Sequence, residues 1–237
     1  MQLRIQKFLS QCGYCSRRHA EELIQEGRIS VNGLIATLGQ CIDEYKDIVK
    51  IDQVRVQKRP QTRTVLLLNK PRGVECTHPW GDKKTVYDFI PKPFQNERFF
   101  YCGRLDKDSQ GMLLLANDGD FANQVTHPRS NIVKIYYVTL ERPLALEFLG
   151  TMLTGIYDEG ECLKAEKVFV LPNQGRYPAL EIHLKQGRKR EIRRMIQHGG
   201  SFVHRLKRTQ IGQLKLKNLA VGATKVLSPE EIALLFQ

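Results

Sequence analysis

A chain of 237 residues can hold one ordinary domain and a smaller companion, with a buried core well within reach. Its uninterrupted apolar runs reach only four to five residues, too short for a membrane-spanning helix, and Met1–Lys7 lacks the apolar h-region of a secretory signal. Lys and Arg total 37 against 25 Asp and Glu, and a net charge of +12 points to a polyanionic partner, a nucleic acid or an anionic membrane surface.

In chain order, Leu3, Phe8, Leu9 and Cys12 follow helical spacing, with Gly13 placed to cap the C-terminus. Ser16 is the expected N-cap of a second helix through Glu26, with Ala20, Leu23 and Ile24 on one face and Gly27 at its end. Arg28–Val31, the turn Asn32-Gly33 and Leu34–Ala36 form a hairpin signal. Strand-like Ile48–Ile51 follows. Gln57–Arg63 has no apolar periodicity and reads as a linker, which divides the chain into residues 1–60 and 61–237. In the larger part, strands are expected at Val65–Leu68, Phe99–Cys102, Met112–Ala116, Ile135–Leu140, Val168–Leu171 and Leu180–Leu184. Helices are expected at Asp120–Val125 and Arg190–Gln197, the latter with Ile192, Met195 and Ile196 on one side. Strands outnumber helices without regular alternation, so the fold class is α+β: a mixed, mainly antiparallel sheet with flanking helices, preceded by a small α+β module.

The charge is uneven. Residues 185–217 hold eleven basic residues and one acidic residue, Glu191, whereas residues 1–60 are only +3. The six cysteines are scattered and read as the reduced thiols of a cytoplasmic protein. Cys12 and Cys15 with His19 nearby lack the second ligand pair that structural zinc uses, so Cys12 is read as core and no metal is expected.

Chemistry concentrates in Gly103-Arg104-Leu105-Asp106-Lys107-Asp108-Ser109-Gln110-Gly111, a polar loop bounded by glycines and followed by a strand. Two carboxylates two residues apart invite a glycosidase-like acid/base pair, although an Asp in such a loop is more often a turn or cap residue. A carbohydrate hydrolase would leave the +12 charge unexplained.

Four motifs occur in order: Asn69-Lys70-Pro71-Arg72-Gly73-Val74, Gly103-Arg104-Leu105-Asp106, Lys134-Ile135-Tyr136-Tyr137-Val138, and Gly187-Arg188-Lys189-Arg190-Glu191-Ile192-Arg193-Arg194-Met195. Together they resemble the pseudouridine synthases of bacterial ribosomal RNA, in the RsuA/RluB-like branch. Residues 1–60 resemble the S4-like (αL motif) RNA-binding domain of that branch, so the likeness covers nearly the whole chain.

That resemblance implies a cofactor-independent isomerase in which Asp106 is the essential carboxylate. Asp106 would act by attack at the ribose or by removal of a ribose proton. Arg193 would keep it ionised, as a nearby guanidinium favours the charged form of a carboxylate. Tyr136 would stack on the flipped base or serve at C5; Tyr137, one residue on, faces the other side of the strand. Leu206 would line the uracil pocket, and Lys70 and Arg104 would lie near the site. Arg188, Arg194 and the other cations of 185–217 would meet phosphates. Adjacent helical positions diverge by about 100°, so only one of Arg193 and Arg194 enters the site and the other meets phosphate or a neighbouring acid. In the module, Lys7, Arg17, Arg18 and Arg28 would face RNA. Glu191, where many relatives carry Gln, points mildly to large-subunit RNA. The expected partner is ribosomal RNA or an assembling ribosomal subunit, the expected state a monomer. The alternatives are a small-subunit enzyme and a non-catalytic RNA-binding or assembly protein.

Overall fold

The computed structural model describes residues 2–57, 62–79, 81–172 and 176–237. Residues 58–61 of the expected linker, and with them the expected boundary, lie outside the described residues. The chain divides into two compact units, Met1–Arg63 and Thr64–Gln237.

The first unit runs β1 (Gln2–Arg4), α1 (Ile5–Gln11), α2 (Arg17–Gln25), β2 (Ile29–Val31), β3 (Leu34–Ile35), β4 (Cys41–Asp43), β5 (Val49–Ile51) and β6 (Val54–Arg55). Leu3 does not join the first helix. It pairs with Ile42 across the antiparallel β1–β4 ladder, and the helix starts at Ile5. The α2 N-terminus is closed by Ser16, whose hydroxyl accepts from the His19 amide at 3.0 Å. Ala20, Leu23 and Ile24 turn inward onto Ile29 and Ile42 while Arg17 and Arg18 stay exposed. Asn32 and Gly33 both have positive φ, 51° and 89°, the backbone that a two-residue turn between paired Val31 and Leu34 demands.

The second unit contains β7 (Val65–Lys70), β8 (Phe100–Cys102), β9 (Gln110–Ala116), α3 (Gly119–Thr126), β10 (Lys134–Leu140), α4 (Leu146–Thr154), β11 (Ile156–Asp158), β12 (Glu161–Leu163), β13 (Lys167–Leu171), β14 (Ala179–Leu184), α5 (Glu191–His198), β15 (Val203–Ile211), β16 (Leu214–Lys215), β17 (Thr224–Val226) and α6 (Pro229–Ala233). Its main sheet runs β13-β14-β10-β15-β9-β7-β17, with β16 beside β15 and β8 beside β9. The runs Val65–Leu68 and Met112–Ala116 are unbroken because β7 and β9 are covered on both faces. Leu67, Met112 and Leu114 pack with Phe121 and Val125 of α3, and Leu66, Leu68, Leu113 and Leu115 pack with Val86 and Phe99. The β10–β14 half buries Val138, Leu180 and Ile182 against Met152 of α4 and Met195 and Ile196 of α5.

The two halves meet at a parallel pairing, Lys207 with Gln110 and Arg208 with Gly111, in a sheet otherwise antiparallel among the described residues. Gly111 has φ +109°, and a Cβ there would lie 2.8 Å from the Arg208 nitrogen and closer still to its carbonyl oxygen. The junction is therefore built around a missing side chain. It sets the end of the 103–111 loop against the middle of β15.

Candidate active site

Residues of the 103–109 loop, the start of α5, β10 and β15 line a pocket of about 930 Å³. Arg104, Asp106, Tyr136, Arg188, Arg193 and Leu206 are all on its wall. Tyr136 is 7% exposed and turned to the pocket, whereas Tyr137 points the other way and is 39% exposed. Leu206 sits opposite Val138 on the neighbouring strand and is also 7% exposed.

The loop is clamped from beneath. The Lys70 ammonium donates to the carbonyl oxygens of Pro71 (3.1 Å), Asp106 (3.1 Å) and Ser109 (2.8 Å), and the Ser109 amide donates to the same Asp106 carbonyl at 3.0 Å. Lys70 is 0% exposed, and its charge is disfavoured chiefly by burial, which lowers its pKa. All three ammonium donors are occupied by backbone, and the position of Lys70 in the fold is a strut beneath the loop.

The ionic pairing also differs from expectation. Arg193, expected to pair with Asp106, reaches Asp108 instead, its Nη2 3.0 Å from Oδ2 and within 3.3 Å of the Asp108 carbonyl and the Ser109 hydroxyl. Burial lowers the Arg193 pKa, and Asp108 is the largest influence opposing that shift. Arg190 lies 3.9 Å from Asp106 and 3.5 Å from Asp108. It occupies the left-handed region (φ 50°, ψ 30°) at the N-cap of α5, a conformation costing about 1–2 kcal/mol for a residue with a Cβ. Asp108 therefore gathers two guanidiniums, and Asp106 keeps an open edge toward the pocket. Sequence reasoning missed Arg190; its only signal was its place in the run beside Arg193.

Arg194 turns away, as the divergence of adjacent helical positions requires. Its Nη1 donates to Glu161 and its Nη2 to the Asp158 carbonyl, both at 2.7 Å, and Nε meets the Asp158 carboxylate. Of the two partners expected for the arginine that leaves the site, phosphate or a neighbouring acid, Arg194 has the acid: the guanidinium ties α5 to the β11–β12 hairpin, and those acids raise its pKa. Arg194→Ala is expected to lower the urea midpoint while leaving RNA affinity unchanged, and a filter-binding titration beside the melt separates the two. In the first unit, Arg28 is likewise held by acids, with Nε 2.9 Å from Asp52 and Nη1 3.3 Å from Glu26. Arg188 stays on the pocket wall, its Nε donating to Gln186 at 3.1 Å and its amide to Glu191 at 3.0 Å. Glu191 is 3% exposed, and burial raises its pKa. Arg104 and Lys189 are exposed at the pocket rim.

With this geometry established, the comparisons with known proteins are specific. Residues 64–198 match the family described as RNA pseudouridylate synthase, and residues 3–54 match the S4 domain. The chain is 38% identical, over its whole length and 95% of the relative, to an uncharacterized RNA pseudouridine synthase of Aquifex aeolicus. It is 35% identical to the dual-specificity RNA pseudouridine synthase RluF of Escherichia coli, over 99% of this chain and 79% of that one. It is also 35% identical to the ribosomal large subunit pseudouridine synthase B of Bacillus subtilis, over 97% and 93% of the two chains. Among solved structures, a pseudouridylate synthase superposes with a TM-score of 0.71 at 28% identity, covering 98% of this chain and 99% of the other. Among the described residues, no helix is long and apolar enough to cross a membrane.

Proposed function

Since this chain belongs to the RNA pseudouridylate synthase family and carries an S4 domain ahead of the catalytic one, we propose that it isomerises uridine in ribosomal RNA, in the large subunit. The observation that carries this reading is the convergence of Asp106, Tyr136 and Leu206 on one pocket, with Arg193 anchored behind the aspartate's loop. The reaction breaks the C1′–N1 bond of the nucleotide, turns the base and joins C1′ to C5, leaving its composition unchanged. It calls for a carboxylate at the ribose, an aromatic or apolar surface for the base, and a way to hold the base out of its stack.

Asp106 supplies the carboxylate, acting on C1′ or on the ribose proton beside it. Tyr136 and Leu206 hold the two sides of the base, a flipped nucleotide costing a few kcal/mol to extrude. Arg193 acts through Asp108 and Ser109, fixing the loop that aims Asp106. Arg104, Arg188 and Lys189 meet phosphates around the pocket mouth, and Arg17 and Arg18 of the S4 domain meet them elsewhere on the RNA. In this reading the protein acts as a monomer in the cytoplasm, where ribosomal RNA resides.

Two measurements bear on this. Pseudouridine mapping of ribosomal RNA from cells with and without the gene is expected to show loss at a large-subunit uridine; an unchanged map would overturn the reading, and loss confined to small-subunit RNA would move the target. RNA affinity is expected to fall with salt, with a slope of about −0.7 in log–log form for each phosphate neutralised in single-stranded RNA. A dissociation constant that ignores salt would remove the phosphate contacts from the account.

A further inference from the structure

Two cations among the residues that line the pocket are not used by the reading above. Arg208 of β15 stands opposite Tyr136 of β10, and Lys134 stands two residues before Tyr136 on the same face. Both line the pocket. Arg208 is 4% exposed. Its Nε donates to the Met112 carbonyl at 2.7 Å, but its buried Nη2 has no hydrogen-bond partner among the described residues. The Lys134 ammonium donates to the Lys185 carbonyl at 3.1 Å. Among the described residues, no salt bridge joins either cation to a carboxylate. Burial, with Arg208 as the next cause, brings Lys134 down to about 8, and Glu191 opposes that shift.

A buried guanidinium N–H without an acceptor is costly, and one on a pocket wall is placed for a ligand oxygen to complete it. The ligand that completes this one must bring an acceptor oxygen, and it must tolerate Tyr136 and Leu206 on its flanks. A uracil ring does both, with exocyclic oxygens at C2 and C4.

We propose that Arg208 and Lys134 form the anion-stabilising floor of the base pocket, donating to the carbonyl oxygens of the flipped uracil and holding the charge it carries while detached from the ribose. The inference rests on the isomerase reading. When the C1′–N1 bond breaks, its electron pair leaves with N1 and spreads onto the ring oxygens, while C1′ is taken up by the Asp106 carboxylate or relieved by loss of the neighbouring ribose proton. When C5 joins C1′, its proton departs and N1 regains one, so nothing is gained or lost overall. Donors fixed beforehand in a site walled from water stabilise such a transient anion most where the charge peaks.

The test is a single-turnover assay of the full chain on a ribosomal RNA transcript containing the target uridine, and on the same RNA with 5-fluorouridine, whose fluorine steadies the departing base anion. Arg208→Met is expected to slow loss of uridine by about 10²–10³-fold with RNA affinity unchanged. On the fluorinated RNA, where C5 carries no proton to release and the readout is disappearance of 5-fluorouridine, the rate penalty is expected to shrink by about tenfold or more. Arg208→Lys, which keeps a charge and a donor, is expected to recover part of the rate. Removing Arg208 also strips the Met112 carbonyl of its donor, so if Arg208→Met fails to fold, Lys134→Met carries the same comparison. Equal losses on both RNAs, or wild-type rates, would overturn the proposal. A wild type that forms no pseudouridine would sink the isomerase reading instead, so the two failures are distinguishable.

Discussion

Asp106→Asn is expected to abolish pseudouridine formation, by on the order of 10⁴-fold or more, while RNA affinity stays within about threefold of wild type. The substitution is nearly isosteric, so the loop has no steric reason to move. The loop's shape rests on the Asp106 carbonyl, which Lys70 and the Ser109 amide hold, and not on the carboxylate. Arg190, 3.9 Å from the lost charge, still has Asp108 at 3.5 Å, and Arg193 never depended on Asp106 for its pair. Single-turnover analysis of digested RNA, run beside a binding titration, reads both quantities. Retained turnover would remove Asp106 from the chemistry. A loss of affinity as large as the loss of rate would make it a binding group.

Gly111→Ala is expected to destabilise the second unit by about 4 kcal/mol, near the upper end for a single substitution. The new Cβ would meet the backbone of Arg208, which cannot swing aside as a side chain can, and φ +109° is closed to alanine. Relief requires β9 and β15 to part, and that is the junction at which the 103–111 loop faces Leu206 and Arg208. Urea denaturation reads the effect as a fall in midpoint at constant slope. Activity at low temperature, in the fraction still folded, would fall with it. A variant of wild-type stability would mean that the parallel junction is not where the sheet is held.

Much of this was legible in the residues because the signals were local. Ser16 caps α2 at the expected place, Asn32-Gly33 makes the expected turn, and the apolar runs at 65–68 and 112–116 are strands. The separation of Tyr136 from Tyr137 follows from period-two alternation alone. What was hidden depends on partners far along the chain. Lys70 reads only as a lysine near the site until β7 carries it beneath the 103–109 loop, where carbonyls satisfy its ammonium. Residue type alone does not separate Arg193 from Arg194, and only the resemblance singled out Arg193; in the fold the β11–β12 hairpin supplies acids to Arg194 and the 106–109 loop an acid to Arg193. Strand β15 escaped notice because a buried Arg208 interrupts the apolar alternation that would announce it. Helix α4 lacked a start signal, since Ala145 at its N-cap offers no side-chain acceptor. For Lys70, Arg193, Arg194 and Arg208 the missing information is a tertiary contact that inverts the usual meaning of a charged residue, whereas for α4 it is a local signal that Ala145 does not supply.

The most direct test of the central claim is to incubate the purified, chelator-treated protein with unmodified large- and small-subunit ribosomal RNA transcripts and map pseudouridine at nucleotide resolution. Wild-type protein is expected to form pseudouridine in the large-subunit transcript without added metal or cofactor, and Asp106→Asn to form none. Absence of pseudouridine from both transcripts, or formation only after a metal is restored, would contradict that claim.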